Sequence, residues 1–507
     1  MTLDIEHTAM GHWTTHFVDG VPGDPSSENR PRQVEHSCYS MVRPTMMPKP
    51  KLLLWNKTLG DQLHLSPDVA HWSGNQLIEG MTPFAHCYGG HQFGSWAGQL
   101  GDGRAISLGS FQHETSPFEI QLKGAGRTPY SRRGDGRAVL RSSLREFLCS
   151  EAMHHLRVPT SRALSLVSTG EQVVRDLMYD GHPEEEPGAI VTRIAESFIR
   201  FGSFEIHAAR RDETTLKQLV EYTMLTHFSE HEYSKDGICA WLTEVGKQTA
   251  HLVCEWMRVG FVHGVLNTDN LSIHSVTIDY GPYGWIEPYD LGWTPNTTDL
   301  HSRRYTFGNQ PMICMWNFAK LLDAILPAYN LHDQKKRLLT TFQENFKEFH
   351  HTMWCNKLGI AKVDEASIPI ITELEELLQT TNIDMTIFFR ELTLNHQFSI
   401  ENLEPALYTS LQESSRWSDW IHMWHHQVEG VPNREVMNIS NPKYVLRNWM
   451  VYEAIQRAEE GDLELSRQLY ECLTHPYDEQ PKFQNWYSKR PAWAEHKPGC
   501  SMLSCSS

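Results

Sequence analysis

His263-Gly264-Val265-Leu266-Asn267-Thr268-Asp269-Asn270 is followed nine residues later by Asp279-Tyr280-Gly281. The spacing fits the pattern H-R-D-x-x-x-x-N followed by D-F-G, in which the Asn and the second Asp hold Mg²⁺ against the phosphates of a nucleotide. On that pattern His263 takes the His position, Asn270 the metal-binding Asn and Asp279 the metal-binding Asp. The usual catalytic Asp falls on Val265, which cannot accept a proton. Asp269, beside the metal Asn, is the one carboxylate inside the loop. The metal and nucleotide half of a phosphotransfer site is present and its ordinary base is missing. Such a site is either inactive or does different chemistry with the same nucleotide.

The pattern is that of protein kinases, and the residues upstream extend it. Residues 118–123 alternate apolar and polar side chains, the period of a half-buried strand, and end on Lys123. A Gly- and Arg-rich loop follows, with Arg127, Arg132, Arg133, Asp135 and Arg137. Residues 138–156 then place Val139, Leu140, Leu144, Phe147, Leu148 and Met153 at helical spacing, and Glu146 lies in that helix. A strand lysine followed by a helix glutamate is the order of the ion pair that sets a cation on nucleotide phosphates. Surface Lys and Glu are common, so the pair gains weight only from lying upstream of the metal loop. Arg193, in the apolar strand 189–195, and Arg200 each need a partner, which is a phosphate or, more commonly, a structural carboxylate. Residues 84–110 are dense in glycine, which suits either close approach to phosphate or tight turns between strands. The helical stripe over residues 243–259 runs straight into the metal loop.

Bulk properties bound the alternatives. At 507 residues there is material for two packed lobes with elaborations. The formal net charge of −17 argues against a general nucleic-acid footprint, although a local basic cluster can still bind phosphate. No apolar run approaches the roughly 18 residues needed to span a bilayer, and the N-terminus lacks a signal-like core, so a cytoplasmic protein is expected. The ten cysteines are scattered without C-x-x-C pairs, which suits reduced thiols. Residues 1–50 read as an extended arm, 51–65 as a short helix, and the chain beyond about 310 as helical. His422 and His426 lie four apart but have neither the H-E-x-x-H glutamate nor an evident third ligand, so packing is the favoured reading.

Four segments together resemble the selenoprotein O family. They are Tyr88-Gly89-Gly90-His91-Gln92-Phe93-Gly94, Gln121-Leu122-Lys123-Gly124-Ala125-Gly126-Arg127-Thr128-Pro129-Tyr130-Ser131-Arg132, the metal loop, and Thr277-Ile278-Asp279-Tyr280-Gly281-Pro282. Asn441-Pro442-Lys443-Tyr444-Val445-Leu446-Arg447-Asn448 resembles the family's C-terminal helix signature, and the likeness runs from about residue 35 to the end. The resemblance implies an α+β, protein-kinase-like bilobal fold with an N-terminal arm and a large helical C-terminal extension. The expected parts are an arm and cap over 1–83, a nucleotide-binding lobe over 84–215, a catalytic lobe over 216–330, a helical extension over 331–490 and a flexible Cys-containing tail over 491–507.

The implied activity is AMPylation, in which ATP binds flipped and AMP moves onto a Ser, Thr or Tyr hydroxyl of a protein substrate. By the same resemblance Lys123, Arg193 and Arg200 hold phosphates and Glu146 orients Lys123. Gly101, Gly103, Arg104, Asp135 and Gly136 line the nucleotide site, Asn270 and Asp279 bind Mg²⁺ or Mn²⁺, and Asp269 accepts the proton. A monomer is expected. Family tails carry selenocysteine or Cys near the end, in some members paired with a Cys shortly after the metal Asp. Residues 289–296 contain no Cys, which leaves Cys505 to pair with Cys500, to act as a free redox thiol, or to be inert. Two rival functions stand beside this one: an ordinary kinase moving the γ-phosphoryl group, and a non-catalytic nucleotide-binding scaffold.

Overall fold

The computed structural model describes residues 12–113, 116–177 and 181–504. A nine-stranded antiparallel sheet forms the first lobe. Its main path runs Tyr39–Met41, Phe84–His86, Ala105–His113, Ser116–Lys123, Glu184–Ala195, Arg162–Arg175 and Lys51–Trp55, with two short strands branching off. The register explains why the functional side chains share a face. Gln121 and Lys123 are two apart and so point the same way, and Arg193 lies directly opposite Gln121. The other face carries Ile106, Leu108, Ile120, Leu122 and Ile190, all buried in a core of the sheet's own.

The helix Leu140–His155 packs across the polar-bearing face and is buried along nearly its whole length, Glu146 included. Its Leu144, Phe147 and Leu148 join the larger core that continues through the second lobe. That lobe is built on the helix Lys235–Val259. Ser234 caps its start by accepting from the Gly237 amide, and Gly260 ends it in the left-handed conformation at φ +74°. The chain then forms the short strand Phe261–Val262, paired with Gly284–Trp285, and the metal loop lies between the two. Helix Gln310–Ile325 backs the loop, with Asn317 donating to the Leu266 carbonyl, helix Lys335–Leu358 packs on Lys235–Val259, and the remaining helices extend this lobe to the C-terminus. The fold is therefore α+β, bilobal and kinase-like, with a large helical C-terminal region. No helix among the described residues is long and apolar enough to cross a membrane.

Two expectations need correction, and the extended arm finds its place. Residues 51–65 are not one helix: Lys51–Trp55 is a sheet strand and Lys57–Gln62 a separate helix. Asn56 divides them, since its side chain accepts from the Leu59 amide and caps the new helix. The N-terminal arm contributes strands His12–Thr14 and Tyr39–Met41 to the sheet, because edge strands leave amides that an extended arm can satisfy. Residues 498–504 are docked, not free. Leu503 exchanges backbone hydrogen bonds with Pro295 and Thr297, and Cys500 is buried. Cys505 lies outside the described residues.

Candidate active site

Lys123, Glu146, Arg193, Arg200 and Asp279 converge although they come from five separate segments. Lys123 Nζ donates to Glu146 Oε2 at 2.6 Å and lies 3.7 Å from Asp279 Oδ1. Arg193 Nη1 donates to Glu146 Oε1 at 2.9 Å and to Asp279 Oδ1 at 2.6 Å, while its Nε donates to Gln121 Oε1 at 3.0 Å. Arg200 reaches the other Asp279 oxygen and donates to the Asp269 carbonyl at 2.7 Å. Its guanidinium lies 4.5 Å over the Tyr88 ring. Arg193 and Arg200, for which sequence left phosphate or carboxylate open, thus sit on a carboxylate here. Burial by itself would push the Asp279 carboxyl up; Arg200, Arg193 and Lys123 outweigh it and hold it well below the usual range. Burial pulls the Lys123 amine below its ordinary value, with Glu146 opposing. Asp279 has φ +56°, uncommon for a residue with a side chain, and such strain collects where the surroundings fix a functional group.

The metal loop is pinned from within. His263 Nε2 donates to the Ile278 carbonyl at 3.1 Å and its Nδ1 accepts from the Val265 amide, which ties the loop to the residue before Asp279. Asn270 Nδ2 donates to the Val265 carbonyl at 3.0 Å, leaving the amide oxygen for another partner. Asp269 is buried; Gln92 Nε2 donates to its Oδ2 at 3.2 Å, and its Oδ1 has no hydrogen-bond partner. Burial pushes its carboxyl up to about 7, against the pull of Gln92 and Arg200.

Gln92 belongs to a hairpin, Gly89–Gln92 and Ser95–Gln99, folded down on this loop. The His91 amide donates to Thr268 Oγ1 at 2.7 Å, and the Phe93 amide donates to Tyr305 Oη at 2.9 Å. The approach is close enough to require glycine. A Cβ on Gly90 would lie 2.5 Å from Asp269 Oδ1, and one on Gly202 only 2.1 Å from the Gly89 carbonyl oxygen. Gly202→Ala is expected to destabilise the protein by about 1–3 kcal/mol through overpacking, read as a lowered midpoint of thermal unfolding. An unchanged midpoint would mean that the hairpin does not seat this tightly.

A cleft of about 1100 Å³ opens above these groups and is lined by Gly101, Gly103, Arg104, Asp135 and Gly136 as well as Lys123, Arg193, Asp269, Asn270 and Asp279; Glu146 and Arg200 lie behind its wall. The volume is at the upper end for a small-molecule site. Arg104 forms no ion pair among the described residues, nor do the exposed Arg127, Arg132 and Arg133 on the loop across the cleft. Asp135 is tied to Arg175 at 2.8 Å, and Gly136 at φ +73° passes so near Gly126 that a side chain would collide. Asp102 accepts from Gln121 at 3.0 Å and from Tyr88 Oη at 3.2 Å, so it braces the partners of both arginines.

Sequence reading had no role for Gln92, Gln121 or Asp102. Only Gln121 left a usable signal, the two-residue step to Lys123 along one strand. His422 does not pack in the core as expected: it is exposed, and its Nδ1 is engaged with the Ser418 carbonyl oxygen one turn back on its own helix. Cys500 is buried with its thiol pushed up to about 12, which disfavours the reactive thiolate.

A family model described as protein adenylyltransferase SelO matches residues 26–474. The chain belongs to this family. Curated relatives named protein nucleotidyltransferase YdiU agree along the full length. Those of Azoarcus sp. (strain BH72) and Rhodopirellula baltica are each 47% identical, covering 97% and 100% of this chain and 98% and 100% of their own. The relative from Methylobacillus flagellatus is 48% identical over 97% of this chain and 99% of its own. Among solved structures, ROP2 from Toxoplasma gondii, described as a virulence factor with a protein-kinase fold and no enzymatic activity, is 12% identical. It covers 58% of this chain and 87% of that one at a TM-score of 0.24.

Proposed function

We propose that this member of the adenylyltransferase family moves AMP from ATP onto Ser, Thr or Tyr hydroxyls of proteins, with ATP flipped in the kinase-like cleft. The observation that carries the reading is the state of Asp269: a buried carboxylate in the metal loop, one oxygen held by Gln92 and the other unpartnered, where Val265 fills the ordinary base position. The acceptor hydroxyl oxygen attacks the α-phosphorus, the bond from that phosphorus to the α–β bridging oxygen breaks, and pyrophosphate leaves. The hydroxyl proton passes to Asp269. Lys123, Arg193, Arg200 and Arg104 receive the phosphates, with Glu146 orienting Lys123. Gly101, Gly103, Asp135 and Gly136 shape the nucleotide site.

The donor set suits a divalent cation, because Asn270 and Asp279 offer oxygen and the cleft carries cations in excess of what its carboxylates pair. Oxygen donors fit Mg²⁺, and Mn²⁺ as well. Bound there, such an ion neutralises charge developing on the phosphates. Moving the scissile bond from β–γ to α–β asks for a reversed nucleotide, not new groups, since positioning and charge do most of the work. The nine described cysteines are unpaired, which supports a reducing compartment. The proposal treats the chain as a monomer.

The test uses ATP labelled at the α or the γ phosphate, with a divalent cation, a panel of protein acceptors and Asp279→Ala as control. Label transferred from the α position alone, and lost in the control, is the expected result. Label from γ alone would make the protein a kinase with a relocated base, and ATP binding without transfer would make it a scaffold. Gln92→Ala probes the base independently. The Gln92 amide pulls the Asp269 carboxyl down, so its removal is expected to move the acidic limb of the pH–rate profile above about 7. Transfer would then fall more at pH 6.5 than at pH 8.5; an unmoved limb would show that Gln92 does not act on the base.

A further inference from the structure

Both carboxylate oxygens of Asp279 are taken by cations. Arg193 Nη1 donates to Oδ1 at 2.6 Å, Lys123 Nζ lies 3.7 Å from the same oxygen, and Arg200 holds Oδ2. Asp279 is also the proposed ligand of a divalent ion, and it cannot serve both while the arginines have nowhere else to go. A buried guanidinium stripped of its carboxylate is costly, so the groups standing beside the arginines decide whether Asp279 is free.

Asp102 is placed to receive Arg200. Both side chains are 1% exposed, and Asp102 Oδ1 lies 3.6 Å from Arg200 Nη2. That separation is an ion pair but too long for a hydrogen bond, and Arg200 Nε and Nη2 have no hydrogen-bond partner among the described residues. A small movement closes the gap and satisfies a buried donor with a charged acceptor.

Arg193 has its own alternative in Gln121, whose Oε1 accepts from Arg193 Nε at 3.0 Å and from Nη2 as well. Gln121 presents that oxygen only while its amide nitrogen faces the other way. Asp102 secures this, since its Oδ2 accepts from Gln121 Nε2 at 3.0 Å. Everything around Asp102 donates: the His86 amide to Oδ2 at 3.2 Å and Tyr88 Oη to Oδ1 at 3.2 Å. An acceptor-only carboxylate fits, whereas an Asn would turn its NH₂ on a donor. The backbone of Asp102 is pinned too, its amide donating to the His86 carbonyl at 3.0 Å and its carbonyl accepting from Thr128 Oγ1 at 2.6 Å. Charge agrees with geometry. With Asp279 committed to an ion, Glu146 remains on Lys123 and Arg193, and Asp102 is the carboxylate left for Arg200.

We infer that Asp102 is a positioning residue that takes over Arg200 directly and Arg193 through Gln121, so that Asp279 is released for the ion and both arginines stay on the phosphate side. The inference rests on the proposed function for the ion at Asp279, but not on AMP transfer itself.

The test reads Mn²⁺ affinity by electron paramagnetic resonance, using the full chain loaded with ATP that carries a methylene group in place of the α–β bridging oxygen. Asp102→Asn is expected to weaken Mn²⁺ binding about 10-fold, because the arginines then hold Asp279 with one charge-assisted hydrogen bond more to lose. Its metal-free affinity for the analogue should hold or rise, since a negative charge has left the phosphate site. Gln121→Met keeps the charge and nearly the volume, and it should weaken Mn²⁺ binding about 3-fold through Arg193 alone. AMP transfer should fall in both variants at limiting Mn²⁺ and recover in part at saturating Mn²⁺, which a folding defect would not do. Unchanged Mn²⁺ affinity in Asp102→Asn overturns the inference. So does a loss confined to Asp102→Asn with Gln121→Met like wild type, which would be the field of one charge and no handover. If Asp102→Asn does not fold, Gln121→Met decides alone by the same criterion. Weakened Mn²⁺ binding in both variants, with no AMP transfer by wild type, would retain the role of Asp102 and remove the AMP-transfer reading instead.

Discussion

Asp279→Ala is expected to lower AMP transfer by at least about 10³-fold, because an ion held at such a position supplies several kcal/mol and each 1.36 kcal/mol is a decade. Asp279 is the carboxylate on which Lys123, Arg193 and Arg200 all converge, and under the proposed function it is, with Asn270, an oxygen donor for a divalent ion. Its removal therefore takes away a metal ligand and the anchor of three cations in one step. The cations left behind lose their partner, and breaking a buried ion pair from one side costs about 3–5 kcal/mol. Unfolding measurements should show a less stable protein without nucleotide. ATP itself brings negative charge to the vacated site, so the thermal shift produced by ATP should persist or grow in the variant while transfer disappears. Asp279→Asn keeps the shape and removes the charge, and it should show the same separation if the folding loss in the Ala variant proves severe. Loss of transfer together with loss of the ATP-induced shift would assign Asp279 to nucleotide binding instead.

The core of this site was legible because its residues sit at fixed spacings on elements whose periods are readable. Asn270 and Asp279 are nine apart on either side of the Leu271–Thr277 bridge, and Lys123 and Glu146 follow from a two-residue and a 3.6-residue pattern in turn. What sequence could not show was which loop lands on which. Gly89 to Gln99 reads either as a phosphate approach or as turns between strands, and nothing in that pattern says that its Gln92 ends on Asp269 across 177 positions of chain. Arg193 and Arg200 posed a different problem, since an arginine in an apolar strand calls for an anion without naming it, and Asp279 fills that need in the absence of nucleotide. Residues 51–65 misled because four apolar side chains in a row fit a strand or a helix, and the deciding cap, Asn56, is one polar residue in the middle. The flexible tail expected over 491–507 is docked at its end, where Leu503 finds backbone partners at residues 295–297 that only the folded chain presents.

Asp269→Asn is expected to lower kcat by about 10²–10⁴-fold, the usual contribution of a positioned base, and in the same assay by less than Asp279→Ala. Two pH signatures should accompany it. In the wild type the base must be ionised, so activity should rise with pH through about 7 and level off above it. The variant should lose that limb and keep a flat residual rate, because nothing in the loop replaces the carboxylate. The second signature is in stability and has the opposite cost. The Asp269 carboxyl goes from an ordinary 3.8 in the unfolded chain to about 7 when buried, so the folded state is penalised progressively as pH rises from about 4 to about 7. By linkage the penalty above pH 7 has an upper bound of about 4 kcal/mol. Asn carries no charge to bury, so the variant should be more stable than wild type at pH 8 and match it much more closely at pH 4. A protein that becomes less active and more stable at the same residue, with the stability gain growing from about pH 4 and complete near pH 7 where activity levels off, would be holding a carboxylate under strain for its chemistry. If the stability difference were the same at both pH values, the raised carboxyl would be absent, and Asp269 would be a poor base at neutral pH.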